Sequence, residues 1–338
     1  MIGEARTYIL PGALVVPADF CGQHYKGTPE LSQGKRMHTH DMQGCRWWEC
    51  NTAAGVYNWA TLDAKIAAWG SRPVTYCMFG TPTWASARPA EAHAYGLGRM
   101  AEPSSMTYLA DYVTALLTRY PTIDRIEVWN EPDIPNTQSL YWYSGSVATF
   151  VTMCQTIYNA AKAVRAGIKV TGPGTTYYLS NPNWLDAFFV AGGAAYLDEY
   201  SIHGYQLQYG TPHKALFGTL LNLDYLKKSI SKNAAPIKPI SISEFGQINP
   251  LPSVTSDDDL IAAYRRAIVV AAAAGLTHAN WYQYDDSAFG YATRPAVVQA
   301  VADMVALLPG STLSDVYMIT DSNGCRVAAT INGTPYVW

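Results

Sequence analysis

Residues 109–132 read LADYVTALLTRYPTIDRIEVWNEP, and the two halves of this stretch follow different periods. In the first half Leu109, Tyr112, Val113, Leu116, Leu117 and Tyr120 recur three and four apart, the spacing of one helical face. In the second half, Arg125 to Trp129 is a short β-rich run that leads into a loop. The same alternation extends both ways. Helical spacing returns at Phe150, Val151, Cys154, Ile157, Tyr158 and Ala161, at Leu260, Ile261, Tyr264 and Ile268, and at Val297, Val298, Val301, Met304, Val305 and Leu308. Asp257, Asp258 and Asp259 stand where a helix dipole favours anions, and Pro295 and Gly310 punctuate the last helix. Strand-like runs are Ala13 to Val16, Cys45 to Glu49, Val74 to Met78, Arg125 to Trp129, Lys169 to Thr171, Tyr200 to His203, Pro239 to Ser243 and His278 to Tyr282. Eight strands alternating with helices predict a (β/α)8 TIM barrel, an α/β fold, over residues 1–310.

A doubly wound open sheet is the competing fold, but it usually carries a glycine-rich turn after its first strand, and Gly-x-Gly-x-x-Gly is absent. Gly172-Pro173-Gly174 reads as a plain turn. Beyond Pro309-Gly310 the runs Leu313 to Thr320, Cys325 to Ile331 and Pro335 to Trp338 are separated by Asn323-Gly324 and Asn332-Gly333. Two such turns predict a small C-terminal β appendage, a meander over 311–338 packed on the barrel, with the Tyr8-Ile9 region a candidate to join it. Ending on Trp338 without a polar tail is compatible with a shortened accessory β domain.

The 338 residues are 49% hydrophobic and 14% charged, which excludes disorder and collagen. A net charge of -3 without a basic stripe argues against nucleic acid. No run approaches the roughly 20 apolar residues of a membrane helix; the longest candidate, Ala267 to Ala274, meets Gly275. Tyr8 to Ala18 is interrupted by Pro11 and Pro17 and reads as a strand rather than a secretory signal. Six scattered cysteines, Cys21, Cys45, Cys50, Cys77, Cys154 and Cys325, show no disulfide framework and read mostly as buried thiols. With 10 Trp and 24 Tyr against 8 Phe, rings with a polar handle predominate, which suits surfaces that stack on sugars; core packing competes.

Barrel enzymes place reactive groups at the C-terminal ends of strands. Two strands end in glutamate: the fourth runs into Trp129-Asn130-Glu131-Pro132 and the seventh into Ser243-Glu244-Phe245-Gly246. Either carboxylate alone could be a cap or ion-pair partner, whereas a facing pair suits acid/base and nucleophilic chemistry. Neither a nucleotide fingerprint nor a metal-ligand cluster appears, so no cofactor and no metal are expected. His38-Thr39-His40-Asp41 has ligand types but no Cys or third histidine nearby in sequence, and reads as a solvated loop.

These motifs, with Gly80-Thr81-Pro82-Thr83-Trp84-Ala85, Val56-Tyr57-Asn58-Trp59 and Leu62-Asp63, resemble glycoside hydrolase clan A, most of all family 39 and its polysaccharide-cleaving relatives, over residues 13–308. The resemblance implies a retaining glycosidase with Glu131 as acid/base and Glu244 as nucleophile. It further implies that Asn130 contacts the sugar 2-hydroxyl, that Arg46 keeps the nucleophile ionised, and that His203 and Tyr205 border it. Trp281 is the candidate sugar platform, His24 and Tyr25 are candidate cleft residues, and Trp84 and Trp142 are candidate subsite walls; core packing competes for each aromatic. Of Trp47 and Trp48, one is expected at the cleft and the other under a helix.

The partner expected is an oligo- or polysaccharide such as a bacterial exopolysaccharide or cell-surface glycan, cut internally, since loop aromatics are many. An exo-acting β-xylosidase-like enzyme and a catalytically silent sugar-binding barrel are the alternatives. Such substrates place the action outside the cell or on a phage particle, although the sequence offers no convincing export signal.

Overall fold

The computed structural model describes residues 5–27, 30–40, 42–134, 141–176, 183–205, 214–246, 256–285, 290–321 and 324–338. Strand β1 (Ala5–Val15) runs outside the barrel, which starts with β2 (Cys21–His24) and β3 (Arg36–His38). Helix α1 (Trp47–Cys50), the hairpin β4 (Asn51–Ala53) and β5 (Val56–Tyr57), and helix α2 (Ala60–Trp69) then lead to β6 (Val74–Cys77). Next come α3 (Met106–Arg119), β7 (Ile123–Glu127), α4 (Val147–Val164), β8 (Lys169–Thr175), α5 (Trp184–Val190) and β9 (Glu199–His203). The barrel finishes with α6 (Lys214–Lys232), β10 (Ile240–Phe245), α7 (Asp257–Ala273), β11 (Ala279–Trp281) and α8 (Pro295–Leu307). Strands β2, β3 and β6 to β11 form a closed ring of eight parallel strands in chain order, the TIM barrel expected from the alternating periods.

Two of the eight expected strands are corrected. Ala13 to Val16 is mostly the end of β1, and Cys45 to Glu49 falls largely in α1; the barrel uses Cys21–His24 and Arg36–His38 in their place. Both true strands are three or four residues long and buried throughout, yet carry Gln23, His24, Arg36 and His38, so they lack the apolar signature of a strand. Gly172-Pro173-Gly174, read as a turn, lies inside β8.

Beyond the ring, β12 (Thr312–Asp321), β13 (Gly324–Ile331) and β14 (Thr334–Val337) form an antiparallel sheet in which β1 is the outer neighbour of β12. The appendage is thus made from both ends of the chain and packs on α7. Ser322 and Asn323 of its expected turn, like Asp41 of the histidine loop, lie outside the described residues.

The helices follow their patterns. Ser105 caps α3 by accepting from the Thr107 N–H, and Leu109, Tyr112, Val113, Leu116 and Leu117 are its buried stripe. Each such leucine contributes about 1.5–3 kcal/mol by leaving water. Ser256 caps α7 in the same way, ahead of Asp257, Asp258 and Asp259. Cys21, Cys45, Cys50, Cys77 and Cys154 are buried and unpaired. Among the described residues, no helix is long and apolar enough to cross a membrane.

The two mouths of the barrel differ in chemistry. At the N-terminal ends of the strands, buried Arg36 bonds Asp19 and Asp124, while Arg125 pairs with Asp124 and Thr277 donates to Glu199. Opposite charges are thus paired at that end. Groups at the C-terminal ends are instead dominated by glutamate and histidine.

Candidate active site

Because side chains alternate along a strand, the residues facing the barrel axis follow a two-residue period. On β3 and just past it, Arg36, His38 and His40 are all buried. His38 Nε2 lies 2.8 Å from Glu127 at the end of β7, and Ser201 on β9 donates to the other oxygen of that carboxylate at 2.6 Å. Burial by itself would raise the Glu127 pKa, but the His38 hydrogen bond and charge outweigh it and hold the carboxyl below its ordinary range. A folded-state pKa below the unfolded one stabilises the protein above the unfolded value, and that contribution is lost as pH falls through the folded one. Glu127→Ala would strand the imidazole of His38 in a dry site, so it is expected to cost about 3–5 kcal/mol of stability. Urea unfolding measures this, and an unchanged midpoint would contradict it.

Glu131 follows β7, and its backbone is held at φ 44°, a left-handed conformation that costs a non-glycine residue energy. Its N–H donates to the carbonyl of Gly174, itself at φ 66° with only 3.0 Å from an added Cβ to a Glu127 oxygen. Glycine is therefore required at 174, and the packed β7–β8 edge aims Glu131 inward.

Glu244, on β10, lies opposite His203 in the β9–β10 register. His203 Nδ1 is 2.8 Å from Glu131 and 3.5 Å from Glu244, and one oxygen from each carboxylate together with a ring nitrogen of His203 fall within 4.8 Å of one another. The Tyr205 hydroxyl donates to Glu244 at 2.7 Å, and His40 Nδ1 lies 2.5 Å from its other oxygen. Glu131 keeps 13% of its side chain exposed against 3% for Glu244, so the former is the one open to solvent.

Electrostatics separate the two carboxyls. Burial raises the Glu131 pKa above the ordinary glutamate value, aided by Glu244 and Asp133 and opposed by His203. Burial pushes Glu244 upward too, but His203, His40 and His24 together bring it well below the ordinary range. For His203, burial lowers the pKa but the carboxylates of Glu244, Glu131 and Glu127 more than offset this, lifting it to about 9. The site therefore sets a carboxyl of raised pKa beside one of lowered pKa, with the imidazole of His203 between them.

Other expected residues are placed as follows. Asn130 is buried next to Glu131, its Oδ1 without a hydrogen-bond partner among the described residues. His24 stacks on His38 at 4.1 Å and its Nε2 meets the Ser243 carbonyl at 2.9 Å, placing it beneath Glu244. Tyr25 is buried, its hydroxyl on the Glu30 carbonyl. Trp47 is buried against Tyr112 while Trp48 stays half-buried. Trp84 uses its indole N–H on the Asn51 carbonyl and its ring edge on Tyr108, bracing the β4–β5 hairpin.

Two expectations about these groups are corrected. Arg46 is not on a barrel strand; it caps α1, pairs with Glu49 and lies over Trp48 and Tyr95, and the cations acting most on Glu244 are histidines. Trp281 is fully buried against Phe245, Tyr264 and Tyr291, on the face of β11 that packs on helix α7. Its neighbour Tyr282 faces the site instead, 5.2 Å from His24 and 6.0 Å from Tyr205, because one step along a strand reverses the side chain.

The histidine loop is also corrected. His38 and His40 are buried, and a third histidine, His24, approaches them in space although not in sequence. Glu127, His38, His40 and Tyr282 were all missed as site groups; counting the two-residue period from Arg36 would have flagged both histidines. Next to His40, Phe79 begins an aromatic wall with Trp48, Tyr95 and Trp142, ring centroids 5.6 to 5.8 Å from it.

Similar architecture occurs in solved structures. A glucosidase from Croceicoccus marinus superposes over 97% of this chain and 78% of its own, with a TM-score of 0.65 and 14% identity. A family 39 glycoside hydrolase from the gut symbiont Bacteroides cellulosilyticus covers 94% and is itself covered over 71%, at 0.64 and 18%. The chain has the fold of these glycoside hydrolases. A monomeric β-xylosidase from Caulobacter crescentus matches 95% of the chain over 74% of its own length, at 0.61 and 16%. No family model matches the sequence, and no curated protein matches it.

Proposed function

We propose that the protein is a retaining glycoside hydrolase that cuts within a polysaccharide. The observation that carries this reading is the pair Glu131 and Glu244, whose nearest oxygens fall within 4.8 Å and whose acidities diverge in opposite directions. Retaining glycosidases hold their carboxyls about 5–5.5 Å apart, leaving no room for a water between nucleophile and sugar. Glu131, the more exposed carboxyl and the one whose pKa is raised, hands its proton to the departing glycosidic oxygen. Glu244, ionised and held by Tyr205, His203 and His40, attacks the anomeric carbon and forms a glycosyl-enzyme. Once the leaving group has gone, Glu131 takes a proton from water, which attacks that carbon and releases Glu244. Asn130, whose Oδ1 has no partner among the described residues, accepts from the sugar 2-hydroxyl.

The half-buried rings of Trp48, Tyr95 and Trp142, packed around buried Phe79, favour internal cleavage, since rings beyond the scissile bond can stack on further sugar units. Incubation with a panel of bacterial and plant glycans, followed by mass analysis, is expected to yield oligosaccharides of several lengths from the first time points. Release of monosaccharide only would replace this reading by the exo-acting, xylosidase-like one, and no product from any glycan would favour a silent sugar-binding barrel.

A further inference from the structure

We infer that His24, His40 and Glu244 form a zinc site, so that Zn2+ binds this protein and silences it reversibly. One ligand atom from each of these residues lies within 4.8 Å of the others, all three side chains are buried, and the carboxylate is the one read above as the nucleophile. Zinc bonds of about 2.0–2.2 Å place neighbouring ligand atoms of a tetrahedral site a little over 3 Å apart, which small side-chain rotations reach from this starting geometry.

A second observation points the same way. His24 is wholly buried, its Nε2 against the Ser243 carbonyl, while its Nδ1 has no hydrogen-bond partner among the described residues. An N–H given to a backbone carbonyl is the usual outer contact of a metal-binding histidine, because it fixes the tautomer and leaves the other nitrogen with its lone pair. Two imidazoles and one carboxylate match Zn2+ rather than Mg2+ or Ca2+, which favour oxygen ligands throughout. The neighbouring group Glu131, His203 and Glu244 is less suited, since the Nδ1 of His203 already bonds Glu131.

Zinc on the Glu244 oxygen occupies the lone pair that would attack the sugar. This consequence, unlike the binding itself, rests on Glu244 being the nucleophile.

The test titrates ZnCl2 into chelator-treated protein by calorimetry, with thermal unfolding in parallel. Expected are one zinc per chain, a raised Tm, affinity at least about tenfold weaker in His24→Ala and in His40→Ala, and unchanged affinity in Glu131→Gln. His40 is nearer the surface, so its variant carries the test should His24→Ala fail to fold by circular dichroism. No saturable binding, full affinity in the folded histidine variants, or loss in Glu131→Gln would overturn the site. Glycan hydrolysis is expected to stop over the same zinc range and recover with chelator. Binding with this pattern but unimpaired hydrolysis would leave the zinc site standing and remove the nucleophile role of Glu244.

Discussion

Glu244→Gln is expected to lower glycoside turnover on the order of 10^4-fold or more while leaving the barrel folded. Glutamine has the same shape and still accepts the Tyr205 hydrogen bond, but its amide is too weak a nucleophile to form the glycosyl-enzyme. The substitution also removes the largest charge acting on His203, so that imidazole should titrate below its value of about 9. Three measurements check this together: a chromogenic glycoside assay, circular dichroism, and the His203 titration by NMR. Full turnover in a folded variant would eliminate Glu244 from the covalent step.

Removing the proton donor gives a different signature. Glu131→Gln is expected to reduce cleavage of glycosides with poor leaving groups by about 10^2- to 10^4-fold, the usual contribution of general acid catalysis. Substrates whose leaving group departs without a proton should still form the glycosyl-enzyme, and azide should then replace water in its breakdown. The pH profile carries the sign. Activity requires Glu131 protonated and its pKa is raised, so the wild-type rate should fall as pH climbs through that value. Ionised Glu244 is also required and its pKa is lowered, so the acidic limb lies well below the ordinary carboxylate range. In the variant the alkaline limb should disappear; a limb that persists unchanged would show that another group supplies the proton.

Long, regular elements are legible in the sequence itself. Helix α3 announced itself through five buried apolar residues on one stripe, and six of the eight barrel strands stood out as β-rich runs. Glu131 and Glu244 were conspicuous because a charged residue closing an apolar strand at a barrel mouth needs a reason to be there. Strands β2 and β3 escaped because the site itself occupies them: Gln23, His24, Arg36 and His38 replace the apolar residues by which strands are recognised. Their polar groups are tolerated in the interior through partners on distant strands, such as Glu127 for His38 and Asp124 for Arg36, which no local pattern reveals.

Periodicity and residue type, both local properties, were enough to establish an eightfold alternation, an added β-meander and a pair of strand-ending glutamates. Direction and proximity were not. Whether Trp281 or Tyr282 faces the cleft depends on a one-residue choice of register, and the gathering of His24, His38 and His40 about the carboxylates depends on ring closure. Closing the barrel brings residues more than 200 positions apart, such as His24 and Ser243, into contact and removes them from water. In that dry setting each charge acts strongly on its neighbours, so folding alone separates the acidities of two chemically identical side chains.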